Sequence, residues 1–245
     1  MAIEVFNRFE HKYILDYETF KNVISVMDTH MVLDSHNKNH MPYTIANIYY
    51  DTDDDYLIRT SLSKPKYKEK LRLRAYGIPK ENEKVYLEIK KKYNGIVNKR
   101  RTTLLLTEAY DFVKTGIAPA AQSYMNGQVI KEIEYFLEVY NLEPKLYLAY
   151  DRIAYFEKGN ADLRISFDTN IRSRRYDLRL DYGDYGERLL KENLYLMEVK
   201  TSLAKPLWLT DMLTEFHINR RSFSKYGTEF KQYINTAPQQ NKIAI

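Results

Sequence analysis

The chain has 245 residues, 44% of them hydrophobic, and a net charge of +5, which is enough for a real core in one large domain or two small ones. It contains no cysteine, so disulfides, thiolate catalysis and cysteine-based metal sites are excluded. No apolar run approaches the roughly 20 residues that span a bilayer, and Glu4, Arg8, Glu10 and Lys12 interrupt the stretch where a signal peptide would need its apolar centre. A soluble cytoplasmic protein is expected.

In chain order, Arg8-Phe9-Glu10-His11-Lys12-Tyr13 alternates, which predicts a strand with Arg8, Glu10 and Lys12 on one face. A helix follows, with Phe20, Val23, Ile24 and Met27 as its apolar stripe. Asp34 to Pro42 reads as a loop, and its His36 and His40 as loop residues rather than a zinc pair. Between Lys64 and Arg101 stand fourteen basic residues and four acids, a local charge of +10 that leaves about −5 for the rest. Within that segment, Lys70, Arg72 and Arg74 share one strand face, with Leu71 and Leu73 behind them. Glu88, Lys90 and Lys92 share a face in Tyr86–Lys92 against Leu87 and Ile89.

Further along, Ile130, Ile133, Leu137 and Tyr140 form a second helical stripe, stopped by Asn141 and Pro144. In Asp162–Asp168, Leu163, Ile165 and Phe167 oppose Arg164, and in Leu196–Lys200 the pair Glu198 and Lys200 opposes Met197 and Val199. A third helix is predicted from Pro206 through Leu209, Met212, Leu213 and Phe216. With no repeat or Gly/Ser linker, residues 1–235 read as one domain and 236–245, with Pro238, Gln239, Gln240 and Asn241, as a loose tail.

The resulting fold class is α+β and mainly antiparallel β. Apolar residues outside and charges inside suit a closed barrel of about eight strands with a wet lumen and helices packed outside. Like charges crowded in a lumen are unfavourable unless acids or an anionic ligand offset them, which points to an anion as the ligand. Neither G-x-x-x-x-G-K-[ST] nor G-x-G-x-x-G occurs, so phosphates are expected to be held by side chains. Arg grips two phosphate oxygens with its planar fork and Lys acts as a mobile point charge.

The ordered set Arg8-x-Glu10-x-Lys12-Tyr13, Lys70-x-Arg72-x-Arg74, Glu88-x-Lys90, Tyr150-Asp151-Arg152, Arg164, Met197-Glu198-x-Lys200 and Ser222-Phe223-Ser224-Lys225-Tyr226 resembles the VTC domain. That is the polyphosphate polymerase domain of the vacuolar transporter chaperone, a branch of the triphosphate tunnel metalloenzymes. The related adenylate cyclase and thiamine triphosphatase branch opens with Glu-x-Glu-x-Lys, whereas Arg8 stands first here, which favours the VTC branch.

The resemblance implies a β-tunnel in which Lys12, Arg72, Arg74, Lys90, Arg152, Arg164, Lys200, Ser224 and Lys225 match phosphate-contacting positions and Glu198 matches a ligand of Mn²⁺ or Mg²⁺. Lys92 shares the face of Lys90, and Tyr150 stands beside Arg152 as support. Glu10 and Glu88 are left open between metal ligand and ion-pair partner, and no one of Lys99, Arg100 and Arg101 is singled out as facing inward. The implied partners are ATP or another nucleoside triphosphate and polyphosphate or triphosphate. The implied reaction is transfer of the γ-phosphate of ATP to a polyphosphate chain, with triphosphate hydrolysis as the alternative. A non-catalytic polyanion or RNA binder is the remaining alternative, resting on a pI near 9.0 and 23 tyrosines.

Overall fold

A computed structural model describes residues 9–37, 41–94 and 96–236. Arg8, His40 and the tail from 237 onward lie outside these described residues.

In chain order the elements are β1 (Phe9–Leu15), α1 (Tyr17–His30), β2 (Met31–Leu33), β3 (Tyr43–Asp51), α2 (Tyr56–Leu62) and β4 (Tyr67–Tyr76). They continue with β5 (Lys84–Tyr93), β6 (Ile96–Leu105), α3 (Leu106–Thr115), α4 (Gly127–Val139), β7 (Glu143–Glu157) and β8 (Asn160–Arg174). The chain then forms β9 (Glu187–Arg188), β10 (Tyr195–Thr201), α5 (Leu207–Glu215) and α6 (Lys225–Thr236). All strand ladders are antiparallel.

The main sheet runs β1-β10-β8-β7-β3-β4-β5-β6, with β2 paired to β7 and β9 to β8. This corrects the expected closed barrel: among the described residues no ladder joins β1 to β6, and the sheet is open. Alternation prescribes the two faces of a strand and says nothing about its edges. A curved open sheet satisfies it as well as a barrel does. The curvature lets α6 (Lys225–Thr236) meet both sides of the trough, with Lys225 Nζ 3.3 Å from Glu198 on β10 and the Tyr226 ring 5.5 Å from Lys70 Nζ on β4.

The convex face carries two apolar layers. Leu71, Leu73, Leu87 and Ile89 are buried under α3 and α4, which contribute Phe112, Ile130, Ile133 and Phe136. On the other half Leu163, Ile165, Phe167, Met197 and Val199 pack under α1 and α5, through Val23, Met27, Leu209 and Met212. Each such side chain contributes about 1.5–3 kcal/mol by leaving water, so the layers hold the curvature. Local chemistry starts the helices. The Asp16 carboxylate caps α1 by accepting from the Thr19 amide at 2.8 Å, and Asn126 does the same for α4 through Val129 at 3.2 Å. α3 ends at Gly116, whose φ of 72° suits glycine.

Not every helix is outside. Tyr226 and Phe230 of α6 pack on Ile45, Tyr49, Leu148 and Tyr150, which project from β3 and β7 into the trough. These concave apolar side chains need a cover, and α6 with Ile58 of α2 supplies it. The same fact explains why β3 and β7 show no alternation: Leu146 to Tyr150 are buried on both faces.

Candidate functional site

The register of the ladders brings the charged residues together. Lys12 on β1 stands opposite Glu198 on β10, Glu10 opposite Lys200, Lys200 opposite Arg164 on β8, and Asp168 opposite Arg152 on β7. Paired antiparallel residues share a face, so all of these point into the trough.

Glu198 is the hub of this wall. Its Oε1 lies 3.1 Å from Lys12 Nζ and 3.3 Å from Lys225 Nζ, and its Oε2 lies 3.3 Å from Lys200 Nζ and 3.4 Å from the Arg152 guanidinium. Burial pushes the Glu198 carboxyl up, but Lys225, Lys200, Lys12 and Arg152 together outweigh it and hold it well below its ordinary value. Asp168, fully buried, accepts a forked pair from Arg152 at 2.6 and 2.8 Å and a third hydrogen bond from Lys225. Burial likewise pushes the Lys12 and Lys225 ammonium groups down, and the neighbouring carboxylates reverse the shift, so both stay firmly charged.

The opposite wall is β4, β5 and β6. Lys70 pairs with Lys90, Arg72 with Glu88, and Arg74 with Tyr86, while Glu88 and Lys90 pair in turn with Arg101 and Lys99. Glu88 receives Arg72 Nε at 2.7 Å and Lys99 Nζ at 2.7 Å, with Arg74 at 3.7 Å. Arg72 also donates to the Tyr49 hydroxyl at 3.2 Å, and Arg74 to Asn47 Oδ1 at 3.0 Å and the Tyr150 hydroxyl at 3.4 Å. Here the lysines go the other way. Desolvation within the crowded trough lowers Lys99, whose side chain is still 38% exposed, to about 7 despite Glu88, and lowers Lys70 to about 8. Burial lowers Lys90 too, with Glu10 opposing and Arg72, Lys200 and Lys12 reinforcing the shift. Lys90 and Lys92 form no ion pair among the described residues.

The three consecutive cations left undecided by the sequence now separate. Lys99 reaches Glu88 and Arg101 lies 4.8 Å over the Tyr86 ring, both in the trough, whereas Arg100 pairs with Glu132 of α4 on the convex side. A signal existed in the sequence, because an Asn-Gly dipeptide between two alternating segments favours a two-residue hairpin, and β5 and β6 pair in the register that sets Lys90 opposite Lys99.

Tyr150 sits among three cations, with its ring 4.4 Å from Lys225 Nζ and 5.1 Å from the Arg152 guanidinium carbon, and its hydroxyl near Arg74. Ser224 stands just before α6, where its hydroxyl accepts from the Gly227 amide at 3.2 Å. Arg164 is farther along the trough and donates to Asp34 at 3.0 Å, while Asp34 also holds the His36 ring at 2.9 Å. Sequence reasoning missed Asp168, the acid that fixes both Arg152 and Lys225. It stood at the end of the Asp162–Asp168 alternation, on the face of Arg164 and Ser166.

Among the described residues no three acids or histidines converge on a metal position. Each Glu198 oxygen already faces two cations. That arrangement does not suit a resident ion. It suits a divalent ion that arrives on phosphate oxygens, keeps several waters and needs only one or two carboxylates from the protein.

No curated protein matches this chain. Among solved structures it is similar to a candidate adenylate cyclase from Bacillus halodurans, at 16% identity and TM-score 0.54, over 91% of this chain and 96% of that one. It is similar as well to a candidate adenylyl cyclase from Hippeastrum described as having a dominant triphosphatase activity, at 14% identity and TM-score 0.52, over 91% and 95%. At these identities the likeness is one of fold, that of the triphosphate tunnel proteins. The VTC domain profile matches residues 7–234, nearly the whole chain, and the chain belongs to the VTC domain family.

Proposed function

We propose that this chain binds a triphosphate along its concave face and transfers the γ-phosphate of ATP to the end of a polyphosphate chain. The observation that carries the reading is the excess of cations on the β4–β6 wall, where, among the described residues, Lys70, Arg72, Arg74, Lys90, Lys92 and Lys99 share a face with one acid, Glu88, which pairs with Arg72, Arg74 and Lys99. Burial already lowers the pKa of several of these lysines. A bound polyanion relieves that situation, and the free energy it releases becomes binding.

In the transfer, a terminal phosphate oxygen of the acceptor forms a new P–O bond to the γ-phosphorus. The bond to the β,γ-bridging oxygen breaks, and ADP leaves with the electron pair. Such a loose transition state spreads charge over the equatorial oxygens and needs positioning more than covalent help from the protein. Arg72 and Arg74, two residues apart on one face and oriented by Glu88, Tyr49, Asn47 and Tyr150, supply planar forks for that charge. Lys12, Lys200 and Lys225 are held by Glu198 as point charges on the facing wall. Glu198, with Glu10 linked to it through Lys12 and Lys200, would hold Mn²⁺ or Mg²⁺ together with phosphate oxygens, and the ion would neutralise charge on the transferred group.

Hydrolysis is the second reading. It is supported by the fold likeness to the Hippeastrum protein and by the open sheet, which gives water an edge from which to enter. Incubation with ATP and Mn²⁺ followed by gel analysis separates the outcomes. A ladder of long chains means a polymerase and orthophosphate alone means a triphosphatase. Binding of triphosphate without any product means a non-catalytic polyanion binder.

A further inference from the structure

One end of the trough is built of tyrosines rather than cations. On β4 the concave face runs Lys70, Arg72, Arg74, Tyr76, and on β5 Lys92, Lys90, Glu88, Tyr86, so Tyr76 and Tyr86 follow the two arginines along the same face. Tyr43 on β3 stands opposite Arg152 and its ring centroid is 6.0 Å from that of Tyr76, while Tyr76 and Tyr86 are 5.6 Å apart and edge-on. The His36 ring completes the group at 5.9 Å from Tyr43 and 6.1 Å from Tyr76.

Two features separate these rings from the other trough tyrosines. Tyr76 is 44% exposed, whereas Tyr49, Tyr150 and Tyr226 are all at or below 9%. Those three hydroxyls are hydrogen-bonded, with Arg72, Arg74 and Asp51 respectively. The hydroxyls of Tyr43, Tyr76 and Tyr86 have no hydrogen-bond partner among the described residues, and Arg101, over Tyr86, has no ion pair there.

We propose that this tyrosine rim is the nucleoside subsite, which takes the base of a nucleoside triphosphate by stacking and does not read its identity. The proposal rests on the reading of the concave face as a phosphate channel. From Arg72 to Tyr76 the strand advances about 13 Å at its usual rise, a span an extended ribose triphosphate covers. With the γ-phosphate between Arg72 and Glu198, the base then reaches the rim, and Arg101 is placed for the phosphate nearest the ribose. The other end offers no equivalent. Tyr67 and Tyr93 lie on the opposite strand face from Lys70 and Lys90, and Tyr226 is buried. Every base has a π-face, so stacking tolerates adenine and guanine alike.

Isothermal titration of the full chain with ATP, GTP and inorganic triphosphate tests this. ATP and GTP should bind alike, each about tenfold tighter than inorganic triphosphate, the lower range of what one stacked base contributes. Tyr76→Ala should erase that preference and leave inorganic triphosphate within about twofold of wild type, while Tyr76→Phe, which keeps the ring, should preserve it. Equal affinity of the wild type for ATP and triphosphate overturns the rim and leaves the channel standing. So does a Tyr76→Ala variant that weakens all three ligands by one factor. If the wild type binds none of the three, the channel and the rim fall together.

Discussion

The two walls of the trough use the same residue types to opposite effect. On the β1, β10, β8 and β7 side, Lys12, Lys200, Arg152, Arg164 and α6's Lys225 are matched by Glu10, Glu198, Asp168 and Asp34, nearly charge for charge. On the β4–β6 side, among the described residues, Glu88 is the one acid of these strands facing Lys70, Arg72, Arg74, Lys90, Lys92, Lys99 and Arg101, and it pairs with Arg72, Arg74 and Lys99. The consequence is visible in the lysines, which burial and carboxylates leave raised at Lys12 and Lys225 and which burial lowers at Lys70, Lys90 and Lys99. A balanced wall is assembled without ligand. On the proposed function, an anion completes the unbalanced one.

The balanced wall depends most on its hub. Glu198→Gln keeps the volume but leaves four buried or half-buried cations facing a neutral amide. Breaking such a network by one partner costs about 3–5 kcal/mol. A lowered melting temperature without ligand, recovered by added triphosphate, is the expected result, together with loss of turnover. Unchanged melting and full metal-dependent activity would move the centre to Glu10 or Glu88.

Next in size is Arg72→Ala on the unbalanced wall. It removes a charge-assisted contact worth roughly 1.5–3 kcal/mol of triphosphate affinity. Glu88 keeps Lys99 at 2.7 Å and Arg74 at 3.7 Å, so the fold should survive. Titration calorimetry read beside thermal melting checks both halves of the expectation. A variant that unfolds without losing affinity would make Arg72 a structural charge.

What the sequence disclosed follows the same division. Strands with one wet face, at Lys70–Tyr76 and Tyr86–Lys92, were legible because leucine and cation alternate there. β3 and β7 were not, because both of their faces are buried and the period of two is lost. α6 was hidden within a site motif, although Tyr226, Phe230, Tyr233 and Ile234 fall at helical spacing. Most of the site residues named from the sequence lie in the trough, while the edges of the sheet left no trace in the strand pattern.

A smaller and more specific effect is expected with pH. Lys99 near 7 and Lys70 near 8 lose protons in the free protein as pH rises, and a bound anion raises both again. Below about pH 7 no proton is needed on binding, and above it each binding event takes protons up, so affinity should fall as pH rises from 7 to 8. Calorimetry in buffers of different ionisation enthalpy reads the uptake directly. Without ligand the sign is reversed: a lysine whose folded pKa is depressed weakens the fold while protonated, so stability should rise with pH above 7. Lys99→Gln should shrink both trends. Uptake that is unchanged in Lys99→Gln would place the titrating group elsewhere.

The smallest expected effect concerns Ser224, where two roles for one hydroxyl can be told apart. Its Oγ accepts from the Gly227 amide at 3.2 Å, one residue before α6 begins, which is the geometry of a helix N-cap. Lys225 follows at once and reaches Asp168 and Glu198, so the cap sets the position of a cation on the balanced wall. Ser224→Ala removes the cap at a cost of about 0.5–2 kcal/mol. Ser224→Asp restores the cap but adds a negative charge at the phosphate face. If the hydroxyl only caps, alanine lowers the melting temperature by a few degrees, aspartate recovers it, and alanine changes triphosphate affinity by less than about twofold. If the hydroxyl donates to a phosphate oxygen, alanine loses affinity beyond that, and aspartate loses more by repulsion even as the helix is restored. Melting and binding thus move together in one case and apart in the other, and the pair of substitutions shows whether the motif residue serves the fold or the ligand.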